Sequence, residues 1–344
     1  MTQPIPPPTP SAHTRAPDSA HAWAISDGTA GNERQALALA GAMGLATSVH
    51  RIALHAPWRW FAPRLTAAIQ LGMPSAQRGL LAPPWPEFAI GCGRQAALIT
   101  RALRVLSGGA TFTVQILDPR VDPAQFDLLV APRHDNLEGS NVIRTLGALN
   151  PVDAAWLSTA ALEFSTLQQL PQPRTALLVG GPHRELLLDA DWFDGLIAQL
   201  EALLGRDGGS LMITLSRRTP TAWAERLRGA FHSGCAYFWG SARDGANPYA
   251  GYLAHADRIV VTPDSVNMLS EACATGKPVM TWLPHPARGK LAAFHAALRA
   301  QGLLHGLGEA DPAMASTTSL REAPAVADEV WQRYRARRAQ SPPG

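Results

Sequence analysis

From Ala22 to Gln301 the chain alternates two patterns. Short runs that are apolar nearly throughout end in Gly, Pro, Asp or Ser, and longer amphipathic stretches follow them. Ala22–Ser26, Thr47–Ile52, Glu87–Gly91, Thr111–Leu117 and Phe126–Ala131 read as strands, with helices over Asn32–Met43 and Gln95–Leu106. Continuously apolar runs, rather than every second position, mark strands covered on both faces. Strand–helix alternation predicts a parallel α/β sheet. The alternation then restarts. Thr175–Gly180, Gly209–Ser216, Cys235–Trp239, Arg258–Thr262 and Val279–Trp282 read as strands; Trp192–Leu204, Thr219–Phe231, Pro248–Ala254, Ser265–Thr275 and Leu291–Gln301 read as helices. Thr219 and Asn247 are expected as N-caps, each ahead of a proline at the first helical position.

Two such units do not share one sheet easily. A boundary is therefore expected in Ala148–Pro173, which holds Pro151, Pro171 and Pro173. The expected organisation is a disordered Pro-rich leader over 1–21, an N-terminal Rossmann-like domain over 22–150, a linker over 151–173, a C-terminal Rossmann-like domain over 174–305, and a connecting stretch with a last helix over 306–344. That helix, about Ala323–Arg338, is free to pack back on the first domain. The fold class is α/β, with two facing doubly wound parallel-sheet domains. In such sheets ligands sit outside the carboxyl ends of the strands, so the cleft between the two edges is the default site.

Composition agrees and narrows the function. The 29 glycines and 29 prolines among 344 residues exceed average usage of about 7% and 5%, against a helical bundle and for many short elements. A net charge of +3 is too small to point to nucleic acid. Cys92, Cys235 and Cys273 are far apart and odd in number, which predicts buried, reduced thiols in a cytoplasmic protein. No run approaches the roughly 18 apolar residues of a membrane span, and the leader lacks the apolar region of a secretory signal. No metal-ligand spacing, P-loop or Gly-x-Ser-x-Gly elbow occurs, so neither a metal nor a cofactor is expected.

The chemistry concentrates just after the strands. In Arg258–Met280 a strand ends at Thr262, Pro263 breaks it, and Asp264 and Ser265 stand before a helix whose first amides form an anion site suited to a diphosphate. Glu271, six residues beyond Ser265, is placed to accept both hydroxyls of a ribose. The alternative is a plain cap and a solvated helix charge. Gly180 and Gly181 would let the backbone approach a phosphate, and Ser216, Arg217, Arg218 and Thr219 supply phosphate donors at the next corner. Tyr249 could stack on a base beside Asn247, though packing and capping explain both. On the first domain, Asp27 is a candidate base, with Gly31, Gln35 and Arg94 on the acceptor side. His134 and Asp135 form a candidate acid–base pair. The stretch from Ala56 to Leu71 gathers Trp58, Arg59, Trp60, Phe61 and Arg64; it suits either a lipid surface or a lipid-linked acceptor, or else packs as an edge helix.

These strand ends resemble the mitochondrial-fission Elongated Mitochondria family in its bacterial branch. The resemblance rests on Ser26-Asp27-Gly28 with Gly31 and Gln35, Gly91-Cys92-Gly93-Arg94, Gln115–Arg120, Phe126-Asp127, His134-Asp135, Asn141-Val142, Ser216-Arg217-Arg218-Thr219, Asn247-Pro248-Tyr249, and Thr262-Pro263-Asp264-Ser265 with Met268, Glu271 and Ala272. It covers about Ala22 to Leu304 and implies a glycosyltransferase-B-like architecture. The Asp264–Val279 segment also looks like the donor helix of nucleotide-sugar transferases and epimerases, which implies ribose binding by Glu271. The expected activity is transfer of a sugar from a nucleoside-diphosphate sugar, as substrate, to a hydroxyl or lipid-linked acceptor without a metal. A nucleoside-diphosphate-sugar epimerase and a non-catalytic membrane-associated interaction protein are the alternatives. Peripheral contact with the inner face of the membrane would suit a lipid-linked acceptor.

Overall fold

A computed structural model describes residues 20–231, 236–309 and 319–340. The leader through residue 19, Cys235 and most of the stretch before the last helix lie outside the described residues. The leader was expected to run to residue 21, but Ala20 is buried and His21 opens the first strand.

The first sheet holds β1 (His21–Ser26), β2 (Ala46–Arg51), β3 (Phe88–Cys92), β4 (Phe112–Ile116), β5 (Leu128–Pro132) and β6 (Val142–Thr145), in the order β2-β1-β3-β4-β5-β6. Every pairing is parallel. β3, β4 and β5 are buried at each position, as their apolar runs require. Successive side chains take opposite faces. Phe88, Ile90 and Cys92 join one core with α1 (Ala30–Ala42), while Ala89 joins another with α3 (Arg94–Leu106). Between β2 and β3 the chain makes only a short α2 (Trp58–Phe61) and two 3-10 turns.

The segment expected as a linker contains α4 (Ala154–Glu163), capped by Asp153 through the Trp156 amide at 2.7 Å. Trp156 and Leu157 pack on the core of the second half. The second sheet holds β7 (Arg174–Val179), β8 (Ser210–Leu215), β9 (Ala236–Trp239), β10 (Arg258–Val261), β11 (Val279–Thr281) and β12 (His305–Gly306), ordered β12-β11-β10-β7-β8-β9 and parallel throughout. Leu177 and Val179 face α5 (Ala190–Asp207) and α6 (Thr221–Ala230). Ala176 and Leu178 face α7 (Tyr249–His255), α8 (Val266–Ala274) and α9 (Gly289–Ala300).

The last helix, α10 (Ala323–Gln340), covers the first sheet as expected: Val326, Ala327, Val330, Trp331 and Tyr334 complete the core around Phe88 and Phe112. At its start Glu322 accepts the amides of Leu146 (2.7 Å) and Gly147 (2.9 Å), and the Ala148 amide donates to Ser270 Oγ at 2.9 Å. Cys92 and Cys273 are buried free thiols; burial raises both pKa values, that of Cys273 to about 12. No helix among the described residues is long and apolar enough to cross a membrane.

Candidate functional site

In each sheet the strand order reverses at one point, between β1 and β3 in the first and between β7 and β10 in the second. Ligands of doubly wound sheets bind at these points. At the first, Asp27 Oδ1 accepts from the Thr29 amide (3.1 Å), the Thr29 hydroxyl (2.7 Å) and Asn32 Nδ2 (3.1 Å). Gly93 holds φ +87 with the Asn32 amide pressed against the place a Cβ would take. Only glycine meets both demands. Arg94 opens α3 and is exposed.

At the second point the structure builds a closed polar knot. The Asp264 side chain is fully buried. It accepts the Gly181 amide (2.9 Å), the Thr262 hydroxyl (2.7 Å) and Arg218 Nη2 (2.6 Å). A Cβ on Gly180 would overlap the Asp264 carboxylate, and one on Gly181 the main chain of Arg218. The two glycines therefore admit the chain's own carboxylate and loop, where the sequence suggested a phosphate. Thr219 also differs from expectation. α6 starts at Thr221 after Pro220, and the Thr219 hydroxyl instead donates to the Val179 (3.0 Å) and Gly180 (2.6 Å) carbonyls while accepting the Ser216 amide (3.0 Å). Ser265 is the N-cap of α8, taking the Met268 amide at 3.3 Å. Asn247 takes the Tyr249 amide at 3.0 Å, two residues on. Gly180→Ala is expected to destabilise the protein by about 2 kcal/mol, because Asp264 is held by its other bonds and yields little. Urea denaturation checks this, and a change below about 0.5 kcal/mol would contradict the knot's rigidity.

The two edges meet across a contact that joins α1 to α8. Arg34 Nη1 lies 2.6 Å from Glu271 Oε1, and the Tyr249 hydroxyl donates to Glu271 Oε2. The guanidinium also sits 5.4 Å from the Tyr249 ring centroid. Glu271 is 3% exposed and Arg34 43%, which removes the reading of Glu271 as a solvated helix charge. Burial opposes the Arg34 charge, yet the Glu271 carboxylate outweighs it and raises the pKa. Burial and the same carboxylate push the Tyr249 phenol well above its ordinary value, so it stays a donor. One turn away, Gln35 Nε2 reaches Asn267 Oδ1 at 3.4 Å, and Asn267 lies where a Cβ on Gly31 would stand. Arg51 pairs with Glu33 through Nε (2.6 Å) and Nη2 (2.8 Å) and lowers that carboxyl's pKa; burial opposes this and Arg217 of the β8 corner adds to it.

His134 and Asp135 are both engaged by the second half of the chain. They form a turn after β5 that docks on α9: Lys290 Nζ donates to Asp135 at 2.6 Å, and the His134 ring stands edge-on to Phe294 at 5.7 Å. Burial lowers the His134 pKa, with Asp135 opposing and Lys290 adding. His295 on α9 is likewise lowered by burial, against its bond to the Pro263 carbonyl at 2.8 Å. In both, the fold disfavours the charged imidazole relative to the unfolded chain. The unfolded chain protonates first as pH drops below about 6.5, so stability is full above that value and falls beneath it. Denaturation midpoints at pH 7 and 5 are expected to show this decline, with His295→Gln flattening it.

Sequence reasoning singled out neither Arg34 nor Asn267. Arg34 lies beside Gln35 in the first turns of α1, and its carboxylate partner is on the other sheet.

Residues 30–334 match the family described as Mitochondrial fission ELM1. The chain belongs to that family. The mitochondrial fission protein ELM1 of Arabidopsis thaliana is 33% identical over 244 residues, a match covering 64% of this chain and only 56% of that protein. Among solved structures, the UDP-N-acetylglucosamine 2-epimerase of Rickettsia bellii superposes with a TM-score of 0.52 at 12% identity, covering 92% of this chain and 96% of that one. The UDP-GlcNAc 2-epimerase of Neisseria meningitidis, bound to UDP-GlcNAc, gives 0.50 at 12% identity, covering 91% and 93%. These likenesses are of fold: two Rossmann-like parallel sheets in the glycosyltransferase-B arrangement.

Proposed function

We propose that this member of the family binds a nucleoside diphosphate sugar between the two sheets and transfers the sugar to a hydroxyl of a second molecule. The observation that carries the reading is Glu271, a buried carboxylate behind the second reversal point, held by the half-exposed Arg34 and by the Tyr249 hydroxyl. When Arg34 swings out, Glu271 accepts the ribose hydroxyls and the freed guanidinium joins Arg217 and Arg218 around the diphosphate. Ser216 and the start of α8 at Ser265 add donors, and Asn247 and Tyr249 lie toward the base. Asp264 supports Arg218 in this scheme and does not touch phosphate.

In the transfer step the acceptor oxygen attacks the anomeric carbon, the bond from that carbon to the phosphate oxygen breaks, and the nucleoside diphosphate leaves. The acceptor proton passes to Asp27, whose Oδ2 takes no part in the bonds that fix Oδ1. His134 and Asp135 are left out of this step because both are engaged with α9. The route uses no metal, since arginines carry the leaving charge.

Calorimetric titration with UDP, GDP and CMP and their sugars tests the reading, and no heat of binding from any of them would end it. The likeness to two epimerases favours epimerisation of the bound sugar as a second reading. Incubation with a UDP-sugar and no acceptor separates the two, because only an epimerase then yields the isomer.

A further inference from the structure

The stretch from Ala56 to Leu71, read from the sequence as either lipid-facing or packed, is split between the two. Trp58 turns inward: its indole N–H donates to the Ala67 carbonyl at 2.9 Å, Gly72 lies against its ring, and it joins the core over α3. Its neighbours turn outward. Trp60 is 64% exposed and Phe61 60%, and Leu71, on the 3-10 turn packed against α2, is 59% exposed. Such large apolar side chains carry a hydration cost that a soluble surface rarely keeps in one place.

Charge supplies the second observation. From residue 34 to residue 86 the chain has no Asp or Glu, and Arg59, Arg64 and Arg78 are exposed there. Arg64 also donates to the Arg120 carbonyl at 3.4 Å, and Arg101 donates to the Pro63 carbonyl. These bonds fix the segment beside the loop after β4, at the carboxyl edge of the first sheet. In that loop Asp118 and Asp122 accept the amides of Arg120 and Ala124.

We infer that α2 and the following turn form a docking surface for an anionic phospholipid bilayer, with Trp60, Phe61 and Leu71 entering the headgroup boundary and Arg59 and Arg64 pairing with lipid phosphates. An indole, a phenyl ring and arginines whose stems lie along apolar surface are the chemistry of that boundary. A segment that carries arginines and no acids is drawn to the negative leaflet. The geometry also sets the acceptor edge of the cleft next to the bilayer, where a lipid-linked hydroxyl would arrive.

The test is cosedimentation of the full chain, without nucleotide, with phosphatidylcholine vesicles carrying about 30% phosphatidylglycerol and with pure phosphatidylcholine. Binding to the anionic vesicles is expected to be at least about tenfold tighter and to weaken in about 0.5 M salt. Trp60→Ser with Phe61→Ser should lose at least about tenfold, and Arg59→Gln with Arg64→Gln should lose the preference for anionic lipid. The Trp60 and Phe61 side chains are exposed, so the melting temperature of the serine variant should not move. Equal partition into both vesicles, or full binding by the double serine variant, overturns the inference. So does a dimer in ultracentrifugation that the serine variant abolishes while no vesicle binding occurs, since a second copy then covers the patch. Nucleotide titration is independent of all these readings, and its failure leaves them standing.

Discussion

Glu271→Gln is expected to weaken binding of a nucleoside diphosphate sugar by about a hundredfold while leaving the fold nearly intact. Two hydroxyls bonded to an ionised carboxylate are worth about 1.5–3 kcal/mol each, and every 1.4 kcal/mol is a factor of about ten. Glutamine keeps the volume and one acceptor oxygen but loses the charge. The cost to stability is smaller for a physical reason: Arg34 is 43% exposed and can turn to water when its partner becomes neutral. The Tyr249 hydroxyl retains an acceptor. A loss of about 1 kcal/mol is expected in urea. Calorimetry and denaturation on the same protein read the two effects separately. Binding within about threefold of the parent chain would remove Glu271 from the ribose and return it to a purely structural contact between the sheets.

Trp331→Ala is expected to cost about 3–5 kcal/mol, the range for deleting a buried aromatic ring. Trp331 is 5% exposed and stands edge-on to Phe88 at 5.1 Å, and its indole N–H donates to the Met43 carbonyl at 3.3 Å. Tyr334 extends the same cluster over Phe88 and Phe112. Without the indole, α10 loses its main grip on the first sheet, and the face built by β3 and β4 opens to water. Chemical denaturation measures the loss directly. Trp331→Phe, which keeps most of the ring volume but not the donor, should cost less than half as much. A shift under about 1 kcal/mol for the alanine variant would mean that α10 is an ornament on a sheet already complete.

The central strands were legible because they are buried on both faces, so β3, β4, β5, β7 and β8 carry near-continuous apolar runs. β6 and β12 lie at sheet edges; β6 is only partly buried and β12 has two residues, so neither leaves a pattern. α4 was hidden by the prolines around it, although Asp153 before Ala154-Ala155-Trp156 is a helix start. The site was legible residue by residue and not as an arrangement. Glu271 stands out after a strand end, but its pairing with Arg34 depends on how the sheets dock, which spacing along the chain does not encode. Gly180 and Gly181 announced a close approach without saying what approaches. Here it is Asp264 and the Arg218 loop. Thr219 was read as a cap because Pro220 follows it, yet the hydroxyl is drawn to two strand-end carbonyls instead.

The bonds of Glu322 to the amides of Leu146 and Gly147 have a mechanical meaning. The chain leaves the first sheet near Leu146 and comes back to it at Ala323, so both crossings run side by side and are pinned to one another. Two pinned crossings would act like the paired knuckles of a door, resisting twist more than a swing about the line between them. The Arg34–Glu271 contact, with Gln35–Asn267 and Lys290–Asp135, would then be the bolt. A ligand that draws it would gain entry through a single swing, and would find the same alignment of the two edges each time the door shut.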